Sequence, residues 1–466
     1  MSEPLRRLGL VSATTVVAAS MIGAGVYTTS GFTIAALPSP WLVILAWAVG
    51  GFVAICGAIG YSGLASRFPQ SGGEYLFLGV TLHPVAGLMA GWVSLLAGFT
   101  SAIAIAALTC EAYLCSVMGS ASAAEIPPAG SIAVALVLLA AILHTLSIRP
   151  SALAQEVVVG LKLLMIGGFI VVACFAPGHR WSGWAGPPTA DDFSVRAFAT
   201  SLLYISFSYA GFNAAIYIAG EVKRAERNVP RAMIGGTALV ALLYVTLNAI
   251  FVLGPDLETV RGQEQIAAIA ADSIGGPGFA WFVSVVIVVS LFTSVSALVM
   301  TGPRVYAKMA DDGFLPAWFR FRDRPPAAAI WFQAVAAIVV IGFAGLQSLL
   351  AYLGFTLSLC SALTVSMLFR VRHQDRSLAV WVTRWAAGIF VIATCVTAGI
   401  AAINEPLQAI VAAGTLGLGA LLYPFARRKT VNAAPPLPSP EGTSPTTEGP
   451  LLAPERPPPT AEGTSR

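Results

Sequence analysis

Apolar residues come along this chain in long blocks separated by short polar stretches. Twelve blocks reach the roughly 20 residues that a helix needs to cross a bilayer. They cover 9–34, 41–66, 84–117, 129–147, 153–176, 196–219, 231–254, 277–306, 327–344, 347–369, 380–402 and 406–425. The third and eighth exceed the needed length, which predicts tilt or protrusion. After Lys429 the pattern stops. Residues 431–466 hold ten of the thirty prolines, spaced by Ser, Thr, Glu and Gly. Such a segment buries no core and predicts a disordered tail. The pattern therefore predicts an all-α polytopic membrane protein, with a twelve-helix domain over 1–430 and a Pro-rich tail over 431–466.

Two blocks weaken at their centres. The first reads SMIGAGVY over 20–27, and the sixth reads FSYAGFNAA over 207–215. Glycine costs about 1 kcal/mol relative to alanine inside a helix. Small residues also let membrane helices pack closely, and GAG alone fits that reading as well as a break. The two weak points lie five blocks apart. They divide the chain into two five-helix halves, and an odd number of helices turns the second half upside down. Interrupted helices at matching places in two halves point to a transport site near the midplane. A break frees N–H and C=O groups that protein, water or a ligand must satisfy. The new helix N-terminus suits a carboxylate and the freed carbonyls suit an ammonium group, which together match the two ends of an amino acid.

Composition agrees with the membrane class. Only 10% of residues are charged and 57% are hydrophobic, against about 25% charged in soluble domains. A net charge of +4 is too small to argue for nucleic acid. With the N-terminus inside, the inner loops and ends collect twenty Lys and Arg, while the outer loops hold Arg180, Arg196 and Arg261. That bias supports twelve spans with both termini cytoplasmic. Short loops and the lack of a cleavable signal suit a bacterial inner, or plasma, membrane. The six cysteines, Cys56, Cys110, Cys115, Cys174, Cys360 and Cys395, all lie in apolar blocks without C-x-x-C pairing, and read as core residues. No phosphate loop, metal cluster or soluble catalytic domain is visible, so neither an ATP-driven pump nor a cofactor is expected.

Three stretches carry a family pattern: GYSGLASRFPQSGGEYLFL (60–78), SYAGFNAAIYIAGEVKRAERNVPRAM (208–233) and SALVMTGPRVYAKMADDGFLPAWF (296–319). With the Gly-rich first block, they resemble the amino acid–polyamine–organocation superfamily of transporters, in order, from about residue 9 to 425. The resemblance implies a LeuT-like fold, with repeat one over about 9–176, repeat two over about 196–369 and further helices over about 380–425. It also implies alternating access. Backbone N–H groups of Gly23, Ala24 and Gly25 would take the substrate carboxylate. Carbonyls of Met21 or Ile22, and of Phe207, Ser208 and Ala210, would take the amino group. Phe207 would close over the substrate as a gate, with Tyr209 the next choice.

Lys162 lies mid-block in VVVGLKLLMIG. A charge at that depth costs at least about 2.5 kcal/mol and marks function by default. It is a candidate for gaining and losing a proton. The resemblance implies that its ammonium stands where sodium-coupled relatives bind Na⁺, hence sodium-independent transport driven by protons or exchange. A structural lysine tying the fifth helix to first-helix carbonyls is the alternative. Glu111 is a candidate for the outer pathway, a cationic side chain or a proton relay. Ser290, Thr293, Ser294 and Ser296 are candidates to satisfy the lysine or the substrate, and Asn213 and Asn248 to cap broken segments or bridge helices. The loop after the sixth block, with Glu221, Lys223, Arg224, Glu226, Arg227 and Arg231, reads as a solvated face or, with Arg67, Glu74, Arg304 and Asp312, as an inner gating network.

The pocket residues named are Ala, Ile, Phe, Tyr and Ser, which favours neutral amino acids over cationic amino acids or polyamines unless Glu111 reaches the site. An amino acid sensor on the same fold is a further reading. The enzyme alternative is an intramembrane serine protease using GYSG (60–63), with Ser62 as nucleophile and His144 as base.

Overall fold

Helices occupy each apolar block in the computed structural model, which describes residues 8–118, 128–146, 152–175, 181, 193–320, 327–371 and 378–430. The first block is two helices, α1 (Leu10–Met21) and α2 (Ala24–Ala36), and the second is α3 (Pro40–Ala65). A short α4 (Gly73–Thr81) precedes the third block, where α5 (Pro84–Val93) passes through a π-helical stretch, Ser94–Ser101, into α6 (Ala102–Met118). Then come α7 (Ser131–Thr145), α8 (Ala152–Phe175) and α9 (Val195–Tyr209), which gives way to a 3₁₀ segment, Ala214–Glu221. The second half holds α10 (Ala225–Leu253), α11 (Leu257–Val260), α12 (Ile266–Asp311), α13 (Ala327–Phe343), α14 (Leu346–Ser366), α15 (Leu378–Asn404) and α16 (Pro406–Thr430). The tail expected at 431–466 lies outside the described residues.

Among the described residues, seven helical stretches are long and apolar enough to cross a membrane, and the bent pair α1–α2 makes an eighth. Three further apolar helices, Ser131–Thr145, Val159–Phe175 and Ala327–Phe343, are shorter. The protein is therefore an all-helical integral membrane protein with seven or eight clear spanning candidates. The start of the block at 277 coincides with a physical break. Gly276 sits at φ +74° ahead of Pro277, and an additional helical piece from Ile266 precedes it.

Small residues set the helix spacing. A Cβ on Gly51 would meet the Tyr209 hydroxyl at 2.9 Å, and one on Gly57 would meet the Phe390 ring at 2.7 Å. These glycines let α9 and α15 lie close on α3, the way membrane helices gain dispersion contacts without a hydrophobic driving force. α3 also packs on α10, and α10 in turn packs on α1. The break in the first block is thus held against the middle of the bundle.

Candidate functional site

The first break is two residues wide. Ile22 leaves helical geometry at ψ 93°, and Gly23 is extended, at φ −139° and ψ −156°, before α2 begins at Ala24. The two segments meet at 40°. Tyr244 of α10 donates its hydroxyl to the Met21 carbonyl at 2.6 Å, and the same hydroxyl reaches the Gly23 backbone. One buried side chain therefore serves part of what the break frees. The neighbouring Asn248 anchors to the Tyr244 carbonyl at 2.8 Å and takes the Ser30 hydroxyl of α2 at 2.5 Å. Asn248 bridges helices, as one of its two sequence readings has it.

The second break lies directly against the first. α9 ends at Tyr209, Ala210 turns away at ψ 146°, and Gly211 takes φ +100°. Only glycine enters that region cheaply. A Cβ there would meet the Ser20 carbonyl oxygen at 2.7 Å and the Met21 nitrogen at 3.1 Å. The two glycines of GAG have different surroundings. A Cβ on Gly23 would meet nothing within 4 Å, whereas Gly25 has Ser208 pressed onto it, with the Ser208 Cα 2.8 Å from where a Cβ would sit. Ser208 also shares a hydrogen bond with Thr29 of α2, at 3.0 Å. The space beside Gly23 is open and that beside Gly25 is filled by Ser208 of α9. Phe207 is half-buried and packs at the edge of the core. Tyr209 is fully buried, with its hydroxyl on the Trp47 carbonyl at 2.9 Å and its ring against Trp47 and Tyr244.

Residues 8–416 match the amino acid permease family. The chain belongs to that family. It is similar to the large neutral amino acids transporter small subunit 2 of Homo sapiens, at 25% identity over 78% of this chain and 69% of that protein. It is also similar to the Asc-type amino acid transporter 1 of Mus musculus, at 25% identity over 80% and 72%. A third relative is the mouse b(0,+)-type amino acid transporter 1, at 24% identity over 80% and 77%. These are distant relations, but the family match spans nearly all of the described helices. The permease is an amino acid transporter, not an enzyme.

Within the permease, Lys162 is buried on α8 and donates its Nζ to Ser294 of α12 at 3.0 Å. Ser294 donates in turn to its own helix, to the Ser290 carbonyl at 3.1 Å. Among the described residues Lys162 makes no ion pair. Of the four α12 candidates, Ser294 meets the lysine and Ser296 meets His144, at 2.8 Å. The protease reading finds no dyad, since Ser62 donates to the Ala58 carbonyl of its own helix at 2.6 Å.

Glu111 has another use than the outer pathway. Its two oxygens accept the Gly130 and Ala133 backbone N–H groups, each at 2.7 Å, at the N-terminus of α7. A carboxylate there satisfies orphan donors and complements the helix dipole. Glu111→Ala is expected to lower stability by about 2 kcal/mol, the worth of charge-assisted hydrogen bonds. Thermal denaturation of the purified permease checks this, and selectivity among amino acids should not change.

Among the described residues Glu74 makes no ion pair. It is 4% exposed and surrounded by neutral groups. Sequence reasoning passed over Tyr244 and Thr29, because a tyrosine or threonine in an apolar block carries no signal that separates it from packing.

Proposed function

We propose that this permease moves neutral amino acids across the membrane by alternating access, with the substrate held between the two helix breaks. The observation that supports it most is their contact. Gly211 lies on the Ser20–Met21 backbone while the space over Gly23 stays open. In this reading the N–H groups of Gly23, Ala24 and Gly25 take the carboxylate. The Met21 and Phe207 carbonyls already receive the Tyr244 hydroxyl and the Ala210 N–H, so the Ile22, Ser208 and Ala210 carbonyls take the ammonium group. Phe207, the less buried of the two gate candidates, closes the site.

The fuller architecture belongs to the same proposal. Twelve spans form two inverted five-helix repeats, 9–176 and 196–369, with added helices over 380–425 and both termini cytoplasmic in a plasma or bacterial inner membrane. Neutral substrates are favoured over cationic ones because Glu111, the acid that would have suited a cationic side chain, has both oxygens on α7. One relative is itself named for large neutral amino acids. The Lys162 ammonium supplies, between α8 and α12, the positive charge that sodium supplies in sodium-coupled transporters. Transport is then sodium-independent and runs by proton coupling or exchange, with Lys162 the proton-coupling candidate.

Purified protein in liposomes tests this with labelled L-alanine, L-leucine, L-arginine and spermidine, with and without sodium and a pH gradient. Saturable uptake of the two neutral amino acids, indifferent to sodium, is expected. A sodium requirement would remove the Lys162 reading. Ligand-induced thermal stabilisation without flux or counterflow would leave a sensor instead of a transporter.

A further inference from the structure

Glu74 opens α4, outside the spanning helices, and yet it is one of the most buried carboxyl groups described. Its Oε1 is crowded. It accepts from the Tyr61 hydroxyl of α3, from the Ser361 hydroxyl of α14 at 2.9 Å, and from Asn213 Nδ2 at 3.2 Å. Among the described residues its Oε2 meets only the Cys360 thiol, at 3.6 Å. The titratable groups facing it are Tyr61, Cys360 and Tyr217, the last on the 3₁₀ segment after the second break. Among the described residues no Lys, Arg or His forms an ion pair with it.

This asymmetry fits a carboxylic acid better than a carboxylate. A buried ionised carboxyl needs strong donors on both oxygens or a cation beside it. A neutral acid needs acceptance on its carbonyl oxygen and a place for its proton, and a thiol sulfur serves as a weak acceptor. Burial pushes the Glu74 carboxyl up, and the Tyr61, Ser361 and Cys360 hydrogen bonds only partly reverse it. Asn213 is the partner that does not lie on a long helix. It belongs to the second break, two residues past Gly211, while Tyr61 and Ser361 sit on the long helices α3 and α14.

We propose that Glu74 is a proton-binding site of the transport cycle, filled while its cluster is closed off from water and emptied when the second break, which carries Asn213, moves away and water enters. The step is a simple protonation: a proton from the aqueous phase adds to Oε2, and the same proton leaves when the carboxyl is wetted. The inference rests on the transport reading above and adds to it an acidic site distinct from Lys162.

Two measurements on the full-length protein separate the possibilities. Infrared difference spectroscopy of purified protein should show a protonated-carboxyl C=O band that titrates in the wild type and is absent in Glu74→Gln. In Asn213→Ala the midpoint should move to higher pH, because removing a donor from the carboxylate disfavours ionisation. In liposomes, wild-type L-alanine uptake should show an acid-side limb of at most about tenfold per pH unit, as one titrating site imposes. Glu74→Gln should lose that limb and retain L-alanine counterflow. A variant that keeps the wild-type band and the wild-type limb overturns the proposal and leaves the transport reading intact. A titrating Glu74 band in a protein that shows neither uptake nor counterflow does the reverse. Should Glu74→Gln not fold, an unmoved midpoint in Asn213→Ala overturns the proposal by itself.

Discussion

Gly211→Val is expected to abolish uptake of neutral amino acids by the reconstituted permease. Two costs add at this position. A β-branched residue at φ +100° is strained by about 1–3 kcal/mol. Its Cβ would also stand 2.7 Å from the Ser20 carbonyl oxygen, a backbone atom without a rotamer to escape through. A combined cost of at least about 3 kcal/mol depletes the docked arrangement of the two breaks about a hundredfold. Uptake should fall with it, and the melting temperature should drop. Gly235→Ala is the matched control, since a Cβ there meets nothing within 4 Å on α10 and alanine favours the helix. It should leave uptake unchanged. Normal uptake by Gly211→Val would show that the two breaks need not meet as described.

Lys162→Ala carries the second large effect. The ammonium is buried between α8 and α12 with Ser294 as its hydrogen-bond partner. A hydrogen bond to a charged group is worth about 1.5–3 kcal/mol, or about tenfold to a hundredfold in the equilibrium it biases. Uptake of L-alanine in liposomes should fall by that factor, and the alkaline-side limb of its pH profile should disappear. Ser294→Ala, which removes the partner and keeps the charge, should cost less. If Lys162→Ala transports at the wild-type rate with the wild-type pH profile, the residue is a structural tie and the coupling resides elsewhere. The acid-side limb expected for Glu74 gives an internal reference, because it should survive in Lys162→Ala.

The legible part of the fold is the part written as hydrophobic runs. Each long apolar block falls on a helix, because an apolar segment of this length has few ways to satisfy its backbone other than helical hydrogen bonds. Pieces that are short or mixed escaped. α4 has only nine residues, and the helical piece from Ile266 to Gly276 is apolar but too short to register as a span beside the block that follows it. The break in the first block was legible from Gly23, but the same glycine signal hid two roles. Gly23 faces open space, and Gly25 admits Ser208.

Long-range contacts were the illegible part. Glu111 sits in α6 and caps α7, nineteen to twenty-two residues away. The spacing of a carboxyl from a later helix start predicts nothing until the two helices are docked. Glu74 and Asn213 stood in separate motifs 139 positions apart. Each motif read as a charged or capping loop, and only the fold joins them in a single buried hydrogen-bond cluster. Lys162 is the opposite case. Depth in an apolar run singled it out, and Ser294 was among the four hydroxyl candidates named for it in the eighth block.

Leu8 and Val222 form a parallel β-bridge, with Leu8 N–H on the Glu221 carbonyl at 3.0 Å and Lys223 N–H on the Leu8 carbonyl at 2.9 Å. Its atoms are all main chain, so the clasp is almost blind to the identity of the residues that make it. It fastens the start of the first interrupted helix to the end of the second, and side-chain scanning would pass over it. For protein engineering this sets a practical boundary: a fluorophore, affinity tag or cross-linker attached near the N-terminus has to leave the main chain at Leu8 in place, or it unfastens one interrupted helix from the other.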